Sequence, residues 1–154
     1  MSTRPEQPDC EPGGEGDFTD LLSETRILLP GAQMLSAFLV ILPFNSGFAQ
    51  IVHVEKLLFL ATFFFSLTSL VLLSAPAIQH RLMRPLKDRA RFKRVATRQI
   101  VAGAFALAIA LVLGTDLVIS EVFGATVGLI MSALMALLIL CAWWLLPLYL
   151  KRSL

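Results

Sequence analysis

The sequence predicts an all-α integral membrane protein: a four-helix bundle with both termini in the cytoplasm. Three observations carry that prediction. The chain of 154 residues is 56% hydrophobic and 16% charged, where a soluble domain is usually about 45–50% apolar and about 25% charged. Its apolar residues gather into four long runs. Its charges are segregated between those runs. Seven of the eleven acids precede Thr25: Glu6, Asp9, Glu11, Glu15, Asp17, Asp20 and Glu24. Eight of the thirteen basic residues lie in 81–98: Arg81, Arg84, Lys87, Arg89, Arg91, Lys93, Arg94 and Arg98. The length suits one domain.

The opening stretch, residues 1–17, reads MSTRPEQPDCEPGGEGD. It is rich in Pro, Gly and acids and has no apolar period, so it reads as a disordered acidic tail preceding a membrane domain at 18–154. It lacks the basic start, apolar stretch and cleavage site of a signal peptide. The following DFTDLLSETRILL puts Phe18, Leu21, Leu22 and Thr25 on one side of a helix, with Thr19 or Asp20 as cap. That pattern suits an interfacial helix leading into the first span.

The apolar runs are about 27–44, 57–78, 100–119 and 122–146. A helix rises 1.5 Å per residue, so roughly 20 residues cross a core of about 30 Å. The last three runs meet that need directly. Lipid offers the backbone no hydrogen-bond partner, and no barrel-like alternation appears, so the spans are helices. A first helix starting at Pro30 would reach Phe44 after only about 22 Å, too short to cross. It therefore starts near Arg26 or earlier, and Pro30 frees the carbonyl of Arg26 within it. PFNSG at 43–47 ends this span.

Four spans leave both termini and the 79–98 loop on one side. That side collects every basic residue except Lys56, so the positive-inside rule makes it cytoplasmic. Trp143, Trp144 and Tyr149, followed by Lys151 and Arg152, anchor the last span at that interface. The basic loop, with Pro85 dividing it and a helix resuming after it, suits anionic lipid headgroups or an acidic partner, or serves only as the topological signal. Asp88 is spaced to pair with Arg84 or Arg91.

Within the spans, two stripes of small residues stand out: Ala102, Ala106, Ala110 and Gly114 in the third, and Gly124, Gly128, Ser132 and Ala136 in the fourth. Such stripes let helix backbones approach closely. A short connection makes these spans an antiparallel hairpin, and the stripes are expected to face each other or a common neighbour.

The candidate polar or ion site comprises Arg26, Gln33, Asp116 and Glu121. Arg26, Pro30, Gln33 and Ala37 share one helix face, expected to look into the bundle. That face is either a cytoplasm-facing cleft or a snorkelling arginine with one interhelical hydrogen bond. Asp116, about 6 Å inside Ser120, is either an ion or proton ligand or a carboxylate solvated at the interface. Cys10 and Cys141 lie in different environments and are not expected to pair. His53, beside Glu55, reads as solvated. No hydrolytic triad, H-E-x-x-H or phosphate loop appears, so neither enzyme, metal nor cofactor is expected. Without an interleaved aromatic platform, neither is nucleic acid.

The Leu29–Gln33 core LPGAQ, Pro43–Phe44 and His80–Arg81–Leu82 resemble the DUF6328 family of small, actinobacterial-type, four-span membrane proteins, over roughly 18–150. The resemblance implies four spans in a bacterial cytoplasmic membrane, and the family has no established catalytic residues to carry over. Some members carry a sodium:proton antiporter label. The expected role is structural, accessory or regulatory, with the lipid bilayer, a second copy or another membrane protein as partner. The alternative is a small, oligomeric cation or proton transporter, with Asp116, Gln33 and Arg26 as the residues to test.

Overall fold

The computed structural model describes residues 13–44, 53–82 and 89–153, with side chains described from Ser23, except Glu24, and not for residues 89, 90 and 151–153. The helices are α1 (Gly13–Ile41), α2 (His53–Leu82), α3 (Arg89–Phe123), α4 (Ala125–Leu140) and α5 (Leu146–Ser153). A 3₁₀ turn, Leu42–Phe44, closes α1, and one π turn, Cys141–Leu145, joins α4 to α5. Among the described residues, four segments are long and apolar enough to cross a membrane: Thr25–Phe44, His53–Leu82, Arg91–Phe123 and Ala125–Leu150.

Several boundaries differ from those read in the sequence. The first helix starts at Gly13, inside the stretch expected as tail, and runs unbroken through Thr19, Asp20 and Pro30. The stretch expected as a helix leading into the first span is helical and continuous with it, but the helix does not start at Thr19 or Asp20; residues 1–12 lie outside the description. The basic segment 79–98 is mostly helical: residues 79–82 end α2 and 89–98 begin α3. Arg84, Lys87 and Asp88 fall in 83–88, outside the described residues. Val122 and Phe123, expected to open the fourth span, instead complete α3.

The break after Phe123 has a local cause. Gly124 adopts φ +92, a region that a side chain disfavours. Its N–H still donates to the Ser120 carbonyl at 2.9 Å, and its own carbonyl accepts from the Gly128 N–H at 3.1 Å. The last backbone bond of α3 and the first of α4 thus share this one residue, which turns the chain.

Helix α3 is central. The apolar window of its span is 39% buried, against 11% for the fourth span. Helices α1, α2 and α3 pack together, and among the described residues α4 packs on α3 without reaching α1 or α2. The core joins Ala32 of α1, Leu73 of α2, and Ile100 and Leu107 of α3. Gly114 sits by Thr62 and Gly103 by Leu72 and Leu73, so α2 and α3 run antiparallel. Gly128 sits against Ser120 and Trp144 meets Phe105 edge-on at 6.3 Å, so α3 and α4 do too.

Candidate functional site

Polar groups inside a membrane bundle need partners, because hydrocarbon supplies none. Most helix hydroxyls here turn back on their own backbone. Thr62 donates to the Leu58 carbonyl at 2.7 Å, and Thr115 to that of Leu111 at 2.7 Å. Ser36 donates to the Ala32 carbonyl at 2.8 Å and lies 2.7 Å from the Ser66 hydroxyl. Ser36 has one proton and spends it on Ala32, so Ser66 is the donor across the α1–α2 contact. Two buried polar atoms among the described residues find no partner, Ser69 Oγ and Gln99 Oε1.

The polar interior is therefore a line of hydroxyls, Thr62, Ser66 and Ser69 on α2 with Ser36 on α1, all buried. The sequence reading missed it. Its signal was present: residues 62, 66, 69, 73 and 76 recur at helical spacing, with four of the five small or hydroxylic.

The candidate ion-site residues are not brought together. Asp116 is half-buried between α3 and α4, with Oδ1 3.5 Å from the Ser132 hydroxyl. That hydroxyl also lies 3.1 Å from the Leu129 carbonyl, so its single proton is shared. Because α3 continues to Phe123, Asp116 lies about 10 Å from the helix end, deeper than the 6 Å expected. Glu121 is exposed, near the α3–α4 turn. Among the described residues, no group of His, Cys, Asp and Glu is placed to hold a metal ion.

The Arg26–Gln33 face is a correction. Arg26, Pro30, Gln33 and Ala37 are all exposed. The face α1 turns inward carries Thr25, Ala32, Ser36 and Leu39. Sequence spacing showed rightly which residues share a face. It did not show which way that face points, because either face of this helix is largely apolar.

The small-residue stripes also point differently from expectation. Ala106 and Ala110 are buried, and a methyl on Gly114 would meet Thr62 and Leu35, so that stripe looks toward α2 and α1. Ala102 is exposed. On the fourth helix, Gly128 and Ser132 look toward α3, while Gly124 is the turn itself. The stripes neither face each other nor share a neighbour. Gly114 and Asp116 explain why: two residues apart, they point about 200° apart on the helix. A central helix meets its two neighbours with different faces. Ala136 joins Phe105, Ala108, Ile109, Val112 and Trp144 around an apolar groove of about 230 Å³.

At the other end of the bundle, the His80 and Phe92 rings are 6.1 Å apart and bring the end of α2 to the start of α3. The basic residues converge there. Arg81, Arg91, Lys93, Arg94 and Arg98 are exposed; the side chain of Arg89, like Arg84 and Lys87, lies outside the description. Cys141 is free and exposed.

Four membrane-length helices, hydroxyls closed on their own backbones and a one-residue hairpin turn define a multi-pass, all-α membrane protein. The model of the family of unknown function DUF6328 matches residues 15–147, most of the chain, and the protein belongs to that family. No curated protein and no solved structure matches it.

Proposed function

We propose that this protein is a structural, accessory or regulatory component of the bacterial cytoplasmic membrane, and not an enzyme. The observation that carries the reading is the filled interior of the three-helix cluster. Ala32, Leu39, Thr62, Ser66, Ser69 and Leu73 are at most 1% exposed, packed where a transporter keeps its path. The converging Arg81, Arg91, Lys93, Arg94 and Arg98 support a cytoplasmic placement of this end and of both termini, against anionic headgroups.

One observation favours a cation or proton transporter instead: the half-buried Asp116 carboxylate against Ser132 within the span. Flux separates the two. Purified protein in vesicles with an imposed pH gradient is expected to match empty vesicles on adding sodium or potassium, wild type and Asp116→Asn alike. Flux above empty vesicles that Asp116→Asn abolishes sinks the accessory reading.

A further inference from the structure

We infer that the outward face of α1 around Gln33 is a self-association surface, and that it takes the same face of a second copy of this chain. Gln33 lies about 12 Å inside the Thr25 end of the first span and about 16 Å from Phe44. That is close to the middle of the hydrocarbon. The side chain is exposed and makes no hydrogen bond among the described residues. A primary amide carries two N–H donors and a carbonyl acceptor, and hydrocarbon satisfies neither.

The occupant must donate and accept at that depth. Other exposed donors in the same half of the membrane include Thr97, whose proton goes to the Lys93 carbonyl, and Arg98, which only donates, on the third span, and the Cys141 thiol, the Trp143 and Trp144 indoles and, at the very end of the span, Tyr149 on the fourth. An indole only donates, and a thiol does both weakly. A second Gln33 does both well. Copies inserted in the same orientation are related by a two-fold axis along the membrane normal, which brings like residues together at one depth. Each amide then donates to the other's carbonyl, two reciprocal bonds from one pair.

The surroundings suit a close approach. Pro30 and Ala37, about one turn to either side of Gln33, are exposed and compact, so the two backbones come near enough for short amides to meet. Arg26 lies at the end of the span, where its long stem carries the charge out to the headgroups and away from its counterpart.

The test uses the full chain in lipid vesicles. Energy transfer between two labelled populations should report association that falls as protein is diluted into lipid. Gln33→Leu should weaken it by about tenfold, while Gln33→Asn retains part of it. Because Gln33 is exposed and makes no hydrogen bond among the described residues, Gln33→Leu should leave the unfolding midpoint of the dilute monomer in detergent unchanged, which separates loss of association from loss of fold. Ala37→Cys, with Cys10→Ser and Cys141→Ala, should form a disulfide dimer with copper phenanthroline. The inference is overturned by absent energy transfer at every dilution, or by association that Gln33→Leu leaves intact. It is equally overturned if Ala37→Cys forms no disulfide dimer, or cross-links only to Cys141 of a chain that retains it.

Discussion

The two faces of α3 use glycine in opposite ways. Toward α2, Gly103 makes room for a side chain: a methyl there would lie 3.0 Å from Leu73 Cγ and 3.2 Å from Leu72 Cβ. Toward α4, Gly128 makes room for a backbone: a methyl on it would lie 2.8 Å from Ser120 Cβ and 3.0 Å from Ser120 Cα and N. The first contact is a leucine lodged in a gap. The second is two main chains at near-minimal separation, next to the turn that joins them. A membrane interior supplies no hydrophobic drive between helices, so dispersion at such contacts must hold the bundle. A side chain can yield by changing rotamer; a backbone beside a one-residue turn cannot.

That contrast predicts a hierarchy of costs, measurable by denaturant titration in mild detergent. Gly128→Leu should have the largest effect, about 3 kcal/mol, since the only relief is to part α3 from α4. If its midpoint equals that of wild type, the backbone contact does not exist. Gly103→Ala should cost about 1–2 kcal/mol, because Leu73 is fully buried and has little room to yield. Gly114→Ala sharpens the comparison. Its methyl would meet Thr62 Cγ2 at 3.6 Å and Leu35 Cδ1 at 3.8 Å, ordinary contact, so the helical preference for alanine should raise stability by about 0.5 kcal/mol. The same sign for the two alanine substitutions would show that room for Leu73, in particular, does not matter. The smallest cost belongs to the α1–α2 contact. Ser66→Ala should cost about 0.6 kcal/mol, the typical worth of an interhelical hydrogen bond in a membrane. A double-mutant cycle with Ser36→Ala isolates that bond, while Ser36 keeps its own bond to Ala32.

The spans themselves were legible in the sequence, and so was the early start of α1. Fifteen residues from Pro30 could not cross the core, so the helix had to begin before it, and it does. The helix after Pro85 was also legible, as Arg89 onward continues into the third span. The boundary between the last two spans was not. Apolar residues run continuously from Val122 through Phe123, and only the positive φ of Gly124 marks where the direction reverses. Pairing of the candidate site was half legible. Asp116 stood out as an intramembrane carboxylate, but the hydroxyl that meets it, Ser132, sixteen residues on, appeared only as part of a small-residue stripe.

The sequence by itself determined that this is an α-helical protein with four membrane-length segments, because hydropathy and length are local properties that a bilayer reads segment by segment. Which way each helix faces was decided only by the tertiary structure. In water the buried face of a helix is apolar and the outer face polar, so periodicity points to the core. In lipid both faces are apolar, and that pointer is gone. Gln33 shows the consequence: its polarity suggested the bundle interior, yet packing of Ala32, Ser36 and Leu39 against the neighbouring helices turns it outward.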